Sequence, residues 1–151
     1  QEDIKNILNE CINIQLNGVE STTIYKNLNL GIYTAVILDW TGAYSDPEAY
    51  LTPLLSCSDL DGEICKKGES VYSGSFWGSN RVENLFLESE NTNGSERLAK
   101  LTEIELIASE SIPYIPIWIS SQKAWSQKEV SKPIFNGAGI ISMSDLEFIN
   151  E

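Results

Sequence analysis

A chain of 151 residues with 42% hydrophobic and 21% charged content is long enough for one domain with its own core, and its longest apolar run is too short to span a bilayer. Against 22 Asp and Glu there are only 10 Lys and Arg, a net charge of -12, which argues against binding nucleic acid by phosphate neutralisation and against adhesion to anionic membranes. Histidine is absent, so the commonest general base and metal ligand are both missing, which weighs against hydrolase triads and zinc sites.

In chain order, Ile4, Ile7, Leu8 and Cys11 recur at helical spacing and predict a short amphipathic helix from about Glu2 to Glu10. Ile12, Ile14 and Leu16 then alternate with Asn13, Gln15 and Asn17, the period of a strand with one wetter face. Ser21, Thr22 and Thr23 offer caps for a second helix that includes Ile24 and Leu28 and stops at Gly31. Ile32 to Leu38 is apolar and β-branched without alternation, as a strand buried on both faces reads. Strand, helix and strand in that order, with a crossover from Glu20 to Ile32, predict a right-handed βαβ unit. The turn Trp40, Thr41, Gly42, Ala43 and Tyr44 would then lie past the carboxyl end of a central strand, where open α/β sheets tend to place ligands.

Beyond the turn, Asp46 is placed to cap a helix whose first residue is Pro47 and whose apolar positions are Ala49, Tyr50, Leu51, Leu54 and Leu55. From Ser58 to Asn80 the composition is polar and aperiodic, which predicts a long loop carrying Phe76 and Trp77. Val82, Leu85, Phe86 and Ser89 resume helical spacing until Asn91-Thr92-Asn93-Gly94 breaks it. Ser95 can cap the longest helix, striped by Leu98, Leu101, Ile104, Ile107 and Ala108 up to Ser111. Asn93-Gly94-Ser95 matches a glycosylation acceptor but is read as a plain turn. Ile115, Ile117 and Ile119 alternate, and Pro116 makes that run an edge or entry strand. Further strands are expected over Ala124 to Val130 and in the tail, which has Gly137, Gly139, Ile140-Ile141 and a last segment from Leu146 to Ile149.

Asp39 and Asp46 flank the turn as an acid-base pair would, but a helix cap and a strand-end polar residue account for them more simply. With no phosphate loop and no metal-ligand spacing in the chain, an enzyme is not expected. Aromatic side chains are the better candidates for a ligand surface, Trp40 and Tyr44 first, then Trp77 and Trp118, with Trp125 assigned to packing.

Two stretches carry a resemblance. Gly31-Ile32-Tyr33, then Trp40-Thr41-Gly42-Ala43-Tyr44-Ser45-Asp46-Pro47, then Ser56-Cys57 form one; Glu96-Arg97-Leu98 opening a helix that leads to Ser111-Ile112-Pro113-Tyr114-Ile115-Pro116-Ile117-Trp118 forms the other. Together they resemble the C-terminal part of the oligopeptide-, dipeptide- and nickel-binding proteins, the extracytoplasmic solute-binding subunits of ABC importers. The resemblance implies an α/β fold, a periplasmic-binding-protein-like lobe with a mixed, largely parallel sheet flanked by helices. It makes residues 1–151 a single domain, the C-terminal ligand-binding lobe of a longer two-lobed protein, with 119–151 crossing toward the other lobe. The chain would form one wall of a cleft that closes on a solute, possession of Trp40, Thr41, Gly42, Ala43, Tyr44, Asp46, Trp77 and Trp118 marking the ligand side. Its implied partners are a small solute of peptide type, the N-terminal lobe and a membrane permease, in a bacterial periplasmic or membrane-anchored extracytoplasmic setting, with no cofactor, metal or nucleic acid.

In the same family a disulfide often lies where Cys57 and Cys65 flank their polar loop, so these two are expected to pair in an oxidising compartment, the alternative being two free thiols. Cys11 is expected to be a buried free thiol. One position departs from the pattern: peptide-binding members carry an aspartate that accepts the ligand's α-ammonium where this chain has Ala43. The alternative from a different class is a free-standing acidic interaction module without a small-molecule site. In either case, strands left without neighbours favour self-association.

Overall fold

The core forms where the helical periodicity is strongest. Helices α4 (Asn80–Glu90) and α5 (Gly94–Ser111) pack against each other and bury Val82, Leu85, Phe86 and Ser89 from one, Leu101 and Ile104 from the other, with Leu55 of α2 (Glu48–Leu55) closing the cluster. Each set sits at i, i+3, i+4 or i+7 on its helix, one face per element. Leu51, Leu54, Trp77, Ile107, Ala108 and Tyr114 pack around this cluster half-buried. The buried hydroxyl of Ser89 donates to the Phe86 carbonyl at 2.8 Å, which satisfies it within its own helix. Tyr114, just past α5, reaches back so that its hydroxyl donates to the Leu54 carbonyl at 3.1 Å, tying the exit of α5 to α2.

The structure is a computed structural model that describes residues 15–136 and 139–149. The helix expected over 2–10, Cys11, Ile12, Ile14 and Gly137 lie outside the described residues. Among the described residues there are five α-helices and one two-stranded antiparallel sheet. The fold is therefore mixed α/β, but the largely parallel sheet is not found, and the expectation of a βαβ unit is corrected. Leu16 and the run from Ile32 to Leu38 are not in strands, and Ile32 and Ile37 are 60% and 67% exposed. Ile115, Ile117 and Ile119 are exposed and not in a strand either, and the segment from Ala124 to Val130 holds only the isolated bridge Val130 to Phe148. β-Branched runs express a preference for a pleated, half-buried surface, and a strand exists only when a neighbour supplies the ladder. Among the described residues no ladder pairs with Leu16, with the run from Ile32 to Leu38 or with Ile115 to Ile119.

Helix α1 (Ser21–Asn27) continues into a 3-10 turn, Leu28–Leu30, and stops at Gly31, whose left-handed φ of 62° lets its N–H donate to the Leu28 carbonyl. The stop is where glycine placed it; the cap is not. Glu20 caps α1 instead of Ser21, Thr22 or Thr23, its carboxylate accepting the N–H groups of Thr22 at 3.2 Å and Thr23 at 3.1 Å and the Thr22 hydroxyl. These bonds to the charged form hold Glu20 below the usual carboxylate range.

The stretch from Ser58 to Asn80, expected to be a loop, is built. Strands β1 (Asp59–Asp61) and β2 (Ile64–Lys67) form a hairpin around Gly62, followed by the short helix α3 (Glu69–Tyr72). Gly62 adopts φ 65°, the left-handed conformation that two-residue hairpin turns require. Cys57 and Cys65 are joined in a disulfide, with Cα atoms 5.8 Å apart, and both are buried. The next segment lies along β2: Cys65 donates its N–H to the Phe76 carbonyl at 2.7 Å, and Gly78 donates to Glu63 at 3.0 Å. Short polar strands with exposed faces have no hydrophobic period, which is why composition alone reads them as loop.

Candidate ligand-binding turn

The turn from Trp40 to Asp46 is held from two sides. Beneath it, the Tyr50 ring of α2 covers Gly42, which is buried; a Cβ at that position would lie 2.5 Å from Tyr50 Cε2, so any larger residue displaces the ring. At its end, Asp46 donates its N–H to the Tyr44 carbonyl at 2.9 Å and accepts the Glu48 N–H on Oδ1 at 2.9 Å. Asp46 therefore does the capping expected of it, with the helix itself beginning at Glu48, one residue later than expected.

Arg97 of α5 completes the clamp. Its guanidinium donates to Asp46 Oδ2 at 3.0 Å, to Asp46 Oδ1 at 2.9 Å and to Glu48 Oε2 at 2.5 Å, spanning both sides of Pro47. All three side chains are about a quarter to a third exposed, so the pairs are partly shielded from solvent. The Arg97 hydrogen bonds, and then the Glu48 N–H, hold the Asp46 carboxyl below its usual range; Asp46 and then Glu48 push the Arg97 guanidinium up. At the start of the turn, the Tyr25 hydroxyl donates to Asp39 Oδ1 at 2.9 Å. Burial first, and then this hydrogen bond to Asp39, raise the Tyr25 phenol.

With both ends fixed, the turn displays its aromatic residues. Trp40 is 45% and Tyr44 56% exposed, and Thr41 and Ala43 are exposed between them. An open depression of about 310 Å3 lies beside them, lined by Ser45, Asp46, Pro47, Tyr50 and Glu105. A second, of about 420 Å3, lies away from the turn between α4 and α5, lined by Leu87, Glu88, Asn91, Thr92, Glu96 and Lys100, and the Lys100 to Glu88 ion pair at 2.6 Å crosses its wall.

The structure thus groups Trp40, Thr41, Gly42, Ala43, Tyr44 and Asp46 as one ordered element, whereas the two remaining candidates lie elsewhere. Trp77 packs half-buried against the core, and its neighbour across an isolated bridge is Ile64 of β2. Trp118 is exposed on the segment after α5, and Trp125, expected to pack, is 87% exposed. Tyr50, Arg97 and Glu105 are the parts of the site that sequence reasoning did not assign. A lone arginine among acidic residues on a helix was the available signal for Arg97, but its partners are Glu48, the first residue of α2, and Asp46 in the turn before it, 49 and 51 residues away.

Among the described residues no group of three or more Cys, Asp or Glu side chains is placed to hold a metal ion, and no helix is long and apolar enough to cross a membrane. Comparison with protein-family models, with curated proteins and with solved structures finds no match to this chain.

Proposed function

We propose that this chain is the C-terminal lobe of an extracytoplasmic solute-binding protein of an ABC importer, and that the turn from Trp40 to Asp46 forms part of its ligand wall. The observation that carries this reading is the clamped turn: Tyr50 over Gly42 and Arg97 on Asp46 fix a backbone that presents Trp40 and Tyr44 outward. A surface ordered before the ligand arrives loses less entropy on binding, and broad aromatic faces with a polar edge are the usual lining of small-molecule clefts. In this reading the solute is trapped between two lobes and the closed form is presented to a permease. The residues assigned to the ligand are Trp40, Thr41, Ala43 and Tyr44, with Gly42 and Asp46 shaping the turn.

A second reading is supported by a different observation. Ile115, Ile117, Trp118, Ile119, Trp125 and Phe148 are all exposed, Ile119 completely, on segments that carry almost no secondary structure. Apolar side chains in that density mark a surface completed by another body, which is the other lobe in the first reading and a separate protein partner in the second.

Tryptophan emission of the full-length protein, titrated with mixed short peptides and then with other small solutes, separates the two. Closure over the turn changes the surroundings of Trp40, so a saturable change establishes solute binding. Silence with every solute, together with a stable complex with another protein on a sizing column, would replace it with the interaction module.

A further inference from the structure

The chain has three Asn-Gly pairs, Asn17-Gly18, Asn93-Gly94 and Asn136-Gly137. Asparagine is a chemically labile residue, and its carboxamide is most open to attack where the next residue is glycine, whose backbone nitrogen no side chain shields. The middle pair joins the two helices of the core. Asn93 is exposed and extended, with φ -137° and ψ 163°, and its side chain makes no capping hydrogen bond. Gly94 is exposed too, with nothing within 4 Å of the place a Cβ would take. As the first residue of α5 it has no helical acceptor for its N–H, and no other group among the described residues accepts that N–H. Both reacting groups are therefore unengaged. The other asparagines near by are held: Asn91 donates from Nδ2 to the Leu87 carbonyl at 2.8 Å, and the Thr92 N–H after it donates to the Ser89 carbonyl at 3.3 Å. Asn84 lies inside α4, where the N–H that follows it is bonded along the helix.

We propose that Asn93 is a site of spontaneous deamidation. The Gly94 nitrogen bonds to Asn93 Cγ, the Cγ–Nδ2 bond breaks, and ammonia leaves carrying the amide proton; water then opens the cyclic imide at either carbonyl to an aspartyl or an isoaspartyl residue. Either product puts a carboxylate at the start of α5, beside the unpaired N–H groups of its first turn, where negative charge is favourable. The isoaspartyl form also adds a methylene to the main chain at the junction of α4 and α5, one helical turn before Arg97.

The test ages the full-length protein in mildly alkaline buffer, folded and in guanidinium, and follows it by mass spectrometry after tryptic cleavage. Cleavage after Arg81 and Arg97 gives one peptide that contains Asn84, Asn91 and Asn93, so the two held asparagines are internal controls. The mass gain of amide-to-acid conversion is expected on Asn93 and not on the other two, and it should vanish from this peptide in Asn93→Gln. In the folded protein its rate should stay within about fivefold of the rate in guanidinium, since no local opening has to precede attack at an unengaged site. A greater slowing by the fold, or conversion of Asn84 or Asn91 as fast as that of Asn93, overturns the assignment. Asn93→Asp, the aspartyl product made directly, is expected to lower the unfolding equilibrium constant by about two- to fivefold, the range of a charge near a helix terminus. An unchanged or raised constant overturns the effect on α5.

Discussion

At the scale of single residues, the side chains that matter are those whose neighbours leave them no alternative. Gly42 lies under the Tyr50 ring, so Gly42→Ala forces the ring or the turn to move and is expected to destabilise the protein by about 1–3 kcal/mol, the usual range for overpacking. A urea titration checks this, and Gly42→Ala combined with Tyr50→Ala should cost less than the sum of the two single changes, since the second removes what the first collides with. Asp46→Ala removes a cap and one end of the clamp and is expected to cost about 1–2 kcal/mol, measured the same way. Asp46 also has a pH signature. Its folded-state pKa is depressed, so its stabilisation is complete above the ordinary carboxylate pKa and is lost as pH falls through the lowered value. The acid limb of the stability curve should therefore be shallower in Asp46→Asn. Glu83 has the opposite sign: it is half-buried, accepts the Cys57 N–H at 2.6 Å, and burial outweighs that bond to raise its carboxyl. Its contribution is complete below the ordinary carboxylate pKa and is lost as pH rises through the raised one. Glu83→Gln keeps an acceptor for the Cys57 N–H without the buried charge and should be close to neutral at pH 7. Glu83→Ala strands that N–H and should cost about 1–3 kcal/mol.

At the scale of elements, the helices and the hairpin are stabilised by different means. Helices α4 and α5 rest on apolar burial, so Leu101→Ala, which opens a cavity at a fully buried position, is expected to cost about 2–5 kcal/mol of global stability. The hairpin of β1 and β2 buries little beyond Cys65 and rests on the Cys57–Cys65 bridge and on hydrogen bonds from the 76–78 segment. Closing a loop of 8 residues constrains the unfolded chain by about 2.5 kcal/mol. Cys57→Ser with Cys65→Ser should therefore lower the urea midpoint by a corresponding amount and loosen the hairpin, while the helical circular dichroism from α4 and α5 persists. The ion pairs Arg81 to Glu103 at 2.7 Å and Lys100 to Glu88 at 2.6 Å also join α4 to α5, but they are exposed enough to be screened by salt and add little. Helical spacing in the sequence identified these two helices and the residues they bury, although Leu98 of the expected stripe on α5 is 55% exposed. It was silent about the hairpin, because a strand pair held by a covalent link needs no apolar period.

At the scale of the whole molecule, the described residues form one packed half and one open half. The packed half runs from α2 to α5; the segments after α5 and before α2 carry apolar residues with little to cover them. Such surface favours association. The isolated 151-residue chain is expected to self-associate with rising concentration, seen as an increasing average mass by sedimentation, and Ile119→Lys with Trp125→Lys should reduce it. If the chain is one lobe of a two-lobed protein, adding the remaining sequence should abolish self-association by covering the same residues.

From the sequence alone one could read the positions of α1, α2, α4 and α5, the glycine stop at Gly31, the Asp46 cap and the turn that follows Asp39, because each is set by residues within one or two helical turns of one another. The Cys57–Cys65 pairing was legible only through resemblance. The lack of a parallel sheet among the described residues, the exposure of Ile32, Ile37 and Trp125, and the clamp of Arg97 on Asp46 and Glu48 were decided by tertiary structure. A strand depends on a neighbour and an ion pair on a partner, and neither partner's place is encoded in the local run that carries the preference.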